Sequence, residues 1–443
     1  MTFEQFRDEA FDIALSLGCT AAETYYVQDN AFQAQALDGE LESYTVSQTG
    51  GLGLRVQYNG RNGYAYTEQL DGVRQLVERA VDNARVSEST DEHPMMGKCS
   101  YQTVVQPKDP ALALTERQKI DLALDLERQA LKADARVTKV ESAAVITGST
   151  VTRIDNTLGL SAQREEGYSI SYVSPILEQD GQVHDGAAFR IRDKVLDTAG
   201  CAAEAVQEAA RQFGAGSVPA GTYSVVFRYD AAADLLASFC SMFSADAAQK
   251  GLSLLAGKEG ETIAAPIVTV MDDPFYKDFP RAFDDEGVPS VTKAVVEKGV
   301  LKTLLHNLKT ARKAGVESTS NGGRRSPASP VGVAPSNFYI VAGQTPLEGL
   351  LEQLGDGLFI TEVSGLHAGV NTVSGDFSLL ARGMRVESGK CTVPVEQITV
   401  AGHFLQLMQN ITAIGSDLTF GIPGGANVAS PSLLVQKVKV AGK

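Results

Sequence analysis

The chain has 443 residues and carries a formal net charge of −15, with a sequence pI of about 4.9. Its length favours two or three domains, and its acidic balance argues against nucleic-acid binding, because phosphate contacts require clustered Lys and Arg. Hydrophobic residues make up 43% of the chain, enough for a globular core, and no apolar run is long enough to predict a membrane span.

The first residues predict a cytoplasmic protein. They form an amphipathic pattern with acidic side chains, unlike the basic and then apolar order of a signal peptide. Thr2 and Gln5 are spaced as a capping box for this first helix. The cysteines, at positions 19, 99, 201, 240 and 391, are too far apart for a CxxC site and odd in number, so neither a disulfide scaffold nor a redox motif is expected.

The order helix, strands, helix is predicted twice in the first half of the chain. Short strands are expected at 23–28, 31–37, 41–47 and 53–58, with hairpin signals at Asn59-Gly60 and Asn62-Gly63 and a helix over 71–85. After a linker over 87–110, Thr115 and Gln118 form a second capping box. A helix is expected from that box to about residue 133. Strands are expected between 137 and 191, followed by a helix over 202–213. The recurrence suggests an internal duplication.

The second half predicts a larger, strand-rich region. A strand over 224–228 and a helix over 231–247 come first, and strands with Gly-rich turns follow. Gly389 is expected at positive φ in a hairpin turn, and the apolar period from residue 404 to 414 predicts a helix ending at Gly415. The predicted fold is therefore α+β: two helix-flanked antiparallel sheet units, domains 1–105 and 110–217, followed by a large strand-rich C-terminal domain, 218–443.

A zinc peptidase motif requires two histidines on one helix face, with a glutamate beside the metal that activates water. The histidines lie at 93, 184, 306, 367 and 403, and no two of them fall within one helical segment. The chain therefore contains no HExxH or HExxxH motif. A site assembled from distant residues stays open as an alternative.

Several motifs of the second half, in this order and spacing, resemble the TldD/PmbA family, also called the modulator of DNA gyrase family. They are DDP at 272–274, FDDEGVP at 283–289, STSNGGRR at 318–325, SGDFS at 374–378, RGMRVESGK at 382–390 and NITAIGSDL at 410–418. The resemblance implies a metallopeptidase fold and involvement in proteolysis.

In the catalytic, TldD-type members, HExxxH lies on the first helix of the C-terminal domain, and a Cys in a later Gly-rich loop completes the zinc site. In this chain the resemblance places Ala237, Ser238 and Met242 at the three motif positions. The matching loop, Leu418–Pro431, contains no Cys. The resemblance therefore implies a PmbA/TldE-type subunit without metal or catalytic residues of its own, and zinc is expected on a TldD-type partner.

Two other groups of residues are candidate sites. The acidic turns at 272–273 and 284–286 suit a hard cation, or are simply acidic turns that flank strands. Asn321, Arg324 and Arg325 form a basic, Gly-rich segment that would meet a peptide carboxylate or carbonyl, unless it is only a solvated loop. His367, between glycines, is a further candidate for substrate binding, or a structural histidine.

The sequence supports two hypotheses about function, and they belong to different classes. The first is a non-catalytic subunit that pairs with an HExxxH chain, completes the wall of a cavity and holds an unfolded peptide by strand addition. The second is an independent homodimeric peptidase or peptide-binding protein with an unrecognised site. Neither involves nucleic acid or a membrane.

Overall fold

The computed structural model describes residues 1–89, 91–422 and 427–442. The chain divides into two compact units. Unit 1 comprises Met1–Asp91, Met95–Phe213 and Arg325–Pro330, and unit 2 comprises Glu92–Pro94, Gly214–Arg324 and Val331–Lys443. The division into domains 1–105, 110–217 and 218–443 stays a prediction.

Unit 1 contains helices on both sides of the linker and long antiparallel strands. Its helices are α1 (Phe3–Ser16), α2 (Val73–Val86), α3 (Glu116–Ala133) and α4 (Thr198–Ala210), with a 3-10 turn at Pro110–Ala113. Its strands are β1 (Ala21–Leu37), β2 (Glu40–Tyr58), β3 (Arg61–Thr67), β4 (Val137–Asn156), β5 (Ser161–Gln179), β6 (Gln182–Asp185) and β7 (Ala188–Ile191).

All the strands of unit 1 lie in one sheet. Their order is β3-β2-β1-β4-β5-β6, with β7 also paired to β5. The helix-strand-helix sections predicted as separate sheet units therefore join along the β1–β4 pair, where Glu23 lies opposite Asn156 and Ala36 opposite Ala143. Helices α1 and α2 cover one apolar cluster, and α3 and α4 cover another.

Both capping boxes are confirmed, since each depends on residues three apart. The Thr2 and Thr115 side chains accept hydrogen bonds from the backbone N–H of Gln5 and Gln118, whose side chains accept in return from the cap residues. The division into short strands is wrong, because β1 and β2 each run unbroken through the polar residues that had suggested breaks. Pairing along both edges of β1 holds those polar residues in extended backbone.

The hairpin signal at Asn62-Gly63 is also wrong, because Gly63 lies inside β3 beneath α2. A Cβ on Gly63 would collide with the carbonyl oxygen of Ala80 and the backbone nitrogen of Ala84. Glycine is required here for close approach of a helix to a strand.

We expect Gly63→Ala to lower the free energy of unfolding by about 1–3 kcal/mol, because α2 must move away from the sheet. Gly97→Ala is the matched control, since a Cβ there meets nothing within 4 Å, and we expect it to change stability by less than about 0.5 kcal/mol. Urea unfolding of both variants measures the difference. Equal stabilities would contradict the close approach.

Unit 2 has shorter helices and more numerous short strands. Its helices are α5 (Tyr229–Phe239), α6 (Ala245–Gln249), α7 (Leu308–Ala314), α8 (Leu347–Leu354), α9 (Leu366–Gly369) and α10 (Phe404–Gln409), with a 3-10 turn at Cys240–Phe243. The strands are β8 (Gly221–Phe227), β9 (Val270–Asp272), β10 (Lys293–Glu297), β11 (Val300–Leu301), β12 (Gly322–Gly323), β13 (Gly332–Val333), β14 (Asn337–Ile340), β15 (Gly357–Ser364), β16 (Asp376–Glu387), β17 (Lys390–His403), β18 (Ile411–Ile414), β19 (Thr419–Phe420), β20 (Asn427–Ser430) and β21 (Leu433–Ala441).

Two main sheets enclose the core of unit 2. One has the order β17-β16-β15-β8-β21-β18, and the other has the order β11-β10-β9-β14-β20-β19. The phenylalanines in the core include Phe239 of α5, whose ring stacks on Phe404 with centroids 4.5 Å apart. The turn between β16 and β17 is confirmed, with Gly389 at φ 77°.

Two helices end earlier than predicted. The helix expected over 404–414 stops at Gln409, because Ile411 and Ile414 pair with β21 instead of continuing the helix. The helix expected over 231–247 is interrupted by the 3-10 turn at Cys240–Phe243, and a new helix starts from the Ser244 cap. In both places, tertiary pairing or a local cap overrides the apolar period.

The α+β fold class is confirmed, with helices packed on antiparallel-rich sheets in both units. Among the described helices, none is both long and apolar enough to cross a membrane.

Candidate functional site

Helix α5 carries two of the predicted metal-motif positions, Ala237 and Ser238, and the 3-10 turn that follows it carries Met242. Helix α5 begins directly after β8, a strand buried between β15 and β21, and packs against β15 and β20. Its buried face contributes Leu235, Leu236 and Phe239 to the core of unit 2. The opposite face of α5, which includes Ala237, therefore lies at the surface of unit 2.

The side chains at the three motif positions do not fit a zinc ion. Ala237 is exposed but has no donor atom, and the hydroxyl of Ser238 donates to the carbonyl oxygen of Asp234 at 2.7 Å. Met242 is fully buried in the core. Zinc sites in proteins use Cys, His and carboxylate ligands, and none of these occupies the three positions. Of the matching loop, Leu418–Pro431, residues 423–426 lie outside the described residues.

Cys240 is the thiol nearest to these positions, and its surroundings are apolar. It packs against the core of unit 2, and burial raises its pKa to about 11. A thiol with this pKa stays protonated at neutral pH, which makes it a poor metal ligand and a poor nucleophile. Over residues 1–89, 91–422 and 427–442, no group of three or more His, Cys, Asp or Glu side chains is arranged to hold a metal ion.

Carboxylates gather where α5 begins. Arg228 binds Asp230 through two nitrogens, at 2.8 and 2.6 Å, and Arg382 pairs with Glu362 on β15. Asp234 lies one turn after Asp230, and within the described part of the chain it forms no such ion pair. Packing around its carboxyl and the charges of Asp230 and Glu362 raise the pKa of Asp234 to about 6. This carboxyl therefore changes charge near neutral pH.

We expect Asp230→Asn to lower the pKa of Asp234, because one of its two neighbouring negative charges is removed. Asp234 binds its proton more tightly in the folded state than in the unfolded state, where its pKa is near 3.8. The free energy of unfolding that Asp234 contributes therefore falls as pH rises from about 4 to about 6. Carboxyl NMR of selectively labelled protein measures the pKa, with Asp246→Asn as the control. An unchanged pKa in Asp230→Asn would contradict this electrostatic arrangement.

The first acidic turn is part of a buried hydrogen-bond network. The carboxylate of Asp272 accepts from the backbone N–H and hydroxyl of Ser336 at 2.6 and 2.7 Å, from the Asn321 amide at 2.9 Å and from Lys293 Nζ at 2.6 Å. Burial lowers the pKa of Lys293, and the charge of Asp272 opposes that shift. The carboxylate thus ties β9, β10 and the segments before β12 and β14 together.

The second acidic turn is equally internal. Asp284 accepts from the backbone N–H groups of Glu286, Val288 and Gly322 at 2.7–2.9 Å. Burial raises the pKa of Asp284, and the nearby carboxylate of Glu286 adds to the shift. In both turns, therefore, buried carboxylates accept hydrogen bonds from donors within the fold: Asp272 in the first turn and Asp284 in the second.

His93 is the residue of this network that the sequence did not reveal. It belongs to unit 2 although it lies in the predicted linker, and its Nε2 is 2.5 Å from Oε1 of the fully buried Glu286. The other oxygen of Glu286 accepts from the backbone N–H of Leu308, at the start of α7. Residues 92–94 are therefore held within unit 2 by a buried side-chain contact.

The residues predicted to bind substrate fall in different surroundings. Asn321 is fully buried and donates to Asp272 and to the Ala334 carbonyl, so its amide hydrogens are used within the fold. The backbone N–H of the half-buried Arg324 donates to Asp285 at 2.8 Å. Arg325 and His367 are exposed. Substrate binding by these residues stays a prediction.

A cavity of about 430 Å³ opens beside α10 in unit 2. Its polar lining includes Asp376, His403, Gln406, Asn410 and Lys439. None of the residues singled out from the sequence as substrate-binding or metal-motif positions lines it.

Three family models match the chain in order. They describe the PmbA/TldA metallopeptidase domain 1 at residues 22–84, the central domain at 109–213 and the C-terminal domain at 220–442. Together they span most of the chain, which agrees with the resemblance of its motifs.

Curated relatives and a solved structure agree with these models. A metalloprotease TldD homolog and a metalloprotease PmbA homolog, both from Haemophilus influenzae, are each 27% identical to this chain and cover 98% and 99% of it, with 95% and 97% of their own lengths matched. A crystal structure from Thermotoga maritima, named as a candidate modulator of a DNA gyrase, is 33% identical, with a TM-score of 0.91 over 99% of this chain and 100% of that one. The chain therefore belongs to the PmbA/TldD metallopeptidase family.

Proposed function

We propose that this chain is the non-catalytic subunit of a two-chain zinc metallopeptidase that acts on unfolded peptides in the cytoplasm. A TldD-type partner would carry HExxxH, bind the zinc and supply the glutamate that activates water. One observation carries the proposal: the three positions that match the motif hold a methyl group and a hydroxyl bonded within its own helix, both on α5, and a buried thioether in the 3-10 turn that follows.

The electrostatics around α5 support the same role. Ala237 is exposed and ends in a methyl group, so this position adds no bulky side chain to the surface of α5. Two acidic residues nearby, Asp230 and Glu362, are paired with arginines. The pKa of a third, Asp234, is raised. Such a surface can form part of a cavity wall.

The contribution of this chain would be to complete the cavity and to hold the peptide. Edge strands bind an extended peptide through backbone N–H and C=O groups, which requires no particular side-chain sequence. Folded proteins would be poor substrates, because their strands are already paired. Arg324, Arg325 and His367 remain candidates for polar contacts with the peptide.

Co-expression with an HExxxH-bearing family member of the same genome tests the proposal. We expect the two chains to co-purify, and we expect an unfolded peptide to be cleaved by the mixture but not by this chain alone. Zinc-supplemented cleavage by this chain alone would overturn the proposal and favour an independent homodimeric peptidase. Failure of the two chains to associate at micromolar concentration would equally overturn it.

A further inference from the structure

The cavity beside α10 lies at a gap in a closed ring of strands. Because β17 also pairs with β21, the strands β17, β16, β15, β8 and β21 close into a ring. Along one edge of β21, β17 pairs with residues 439–441 and β18 pairs with residues 433–435. Among the described strands, none pairs with residues 436–438 on this edge. Helix α10 spans the gap, because it connects β17 to β18.

A bulge in β21 shapes this gap. Between Val435 and Val438, β21 holds one more residue than the facing stretch of β8. Lys437 lies in the bulge with φ 60°, a left-handed conformation that residues other than glycine rarely adopt. The backbone N–H of Gln436 donates to the carbonyl oxygen of Asn410, directly after α10. The cavity that results, of about 430 Å³, has the size of a small-molecule site.

Side chains of both charges line the cavity without pairing with each other. Lys437 and Lys439 belong to β21, and Asp376 is the first residue of β16. Over residues 1–89, 91–422 and 427–442, none of these three side chains forms an ion pair. Oδ2 of Asp376 accepts a hydrogen bond from the hydroxyl of Ser374 at 2.8 Å. The cavity therefore offers two ammonium groups and a carboxylate to a ligand.

His403 gives a second indication that a molecule outside the chain completes this site. Its side chain lines the cavity, and its Nδ1 is buried with no hydrogen-bond partner among the described residues. The other ring nitrogen lies against Gly375, where an added Cβ would be 2.8 Å from Nε2. Buried polar atoms of native proteins nearly always have a partner, so an orphaned one points to a bound water or ligand.

We propose that this cavity binds a free α-amino acid with an apolar side chain. The carboxylate of the ligand contacts Lys437 and Lys439, and its ammonium group contacts Asp376, so that each charge meets one of opposite sign. A simple anion fits less well, because it leaves the Asp376 carboxylate beside a like charge. The apolar side chain of the ligand contacts the apolar part of the lining. That part consists of Phe377, Ala401, Leu407, Val435 and Val438.

The inference is independent of the proposed function. None of the metal-motif positions or predicted substrate-binding residues lines the cavity. Loss of amino-acid binding and loss of association with an HExxxH chain are therefore separate results.

Three matched probes test the class of ligand by isothermal titration calorimetry of the full chain. L-Leucine carries both charges, N-acetyl-L-leucine lacks the ammonium group and L-leucinamide lacks the carboxylate. We expect L-leucine to bind with a Kd below about 1 mM and each of the other two to bind at least about tenfold more weakly. Failure of L-leucine to bind, or equal binding of the three probes, would overturn the inference. Tighter binding of the dipeptide L-leucyl-L-leucine would overturn it in favour of a peptide terminus.

Variants of the lining test the location. Lys437, Lys439 and Asp376 are exposed, so their replacement leaves the core intact. The double variant Lys437→Gln/Lys439→Gln should bind L-leucine at least about tenfold more weakly. Asp376→Asn should weaken binding of L-leucine but not of N-acetyl-L-leucine, which has no ammonium group to lose a partner.

Lys390→Gln is the matched control, because Lys390 is an exposed lysine of β17 that does not line the cavity. We expect this variant to bind L-leucine as the wild type does. Equal affinity for L-leucine in the wild type and all three variants would place the binding elsewhere and overturn the inference.

Discussion

Peptidase activity of the reconstituted two-chain complex is expected to depend on the partner's motif and not on Ser238 of this chain. Replacing the motif Glu of the partner by Gln should lower kcat by about 10²–10⁴-fold, which is the usual loss when a general base is removed. Ser238 occupies the matching position here, but its hydroxyl donates to the Asp234 carbonyl. Ser238→Ala should therefore change kcat by less than about twofold.

The two variants form a matched pair, because each alters the same helix position in one of the two related chains. Zinc content of both complexes serves as the control that the metal is still bound. A loss of activity in Ser238→Ala comparable to that of the partner's variant would show that α5 of this chain takes part in hydrolysis, and would contradict the proposed division of labour.

Removal of the Asp272 carboxylate is expected to be the most destabilising single change in unit 2. Asp272→Ala leaves Ser336 and Asn321 without their acceptor and leaves the ammonium of Lys293 without its counter-charge. An uncompensated charge in a buried site costs about 3–5 kcal/mol. We expect a loss of that size in the free energy of unfolding, measured by urea titration.

A surface pair of the same chemistry provides the control. Asp246 and Lys250 are separated by 2.7 Å, close to the 2.6 Å of the Asp272–Lys293 pair, but their side chains are 36% and 60% exposed against 0% and 11%. Asp246→Ala should cost at most about 1 kcal/mol, because water screens an exposed pair. If Asp272→Ala does not fold, Asp272→Asn should still unfold at lower urea concentration than wild type. Equal losses at the two sites would contradict the importance of burial.

Local features of the chain were predictable from residues near one another. Both capping boxes and the turn at Gly389 depend on spacings of a few residues, and all are confirmed. The α+β class followed from the same periodicities. The residues at the three motif positions, Ala237, Ser238 and Met242, could be read directly from the sequence once it was aligned to the motif.

Features that depend on distant partners could not be predicted in this way. Gly63 was interpreted as a turn signal, yet its role comes from α2 lying on β3. His93 gave no local signal, because its partner Glu286 lies in another part of the sequence and only the fold brings them together. The acidic turns left two interpretations open for the same reason: the donors to Asp272 come from segments that follow it by tens of residues.

The length of β2 is another feature that depends on distant partners and could not be predicted. The pattern of β2 suggested two short strands, because polar residues between them interrupt the apolar alternation. Only the pairing of β1 with both β2 and β4 explains why those polar residues remain extended. β2 is longer than β3, so β3 pairs with only part of β2. Strand lengths of this kind are poorly specified by the sequence pattern.

Zinc per chain is the most direct measurement of the central claim, that this family member has no metal site of its own. The full chain is purified without chelator, dialysed against zinc-free buffer and analysed for metal, with the HExxxH partner treated in parallel. We expect well below one zinc per chain here and about one zinc per chain on the partner. A reproducible single zinc bound by this chain alone would contradict the account and would assign the ligands to residues far apart in the sequence.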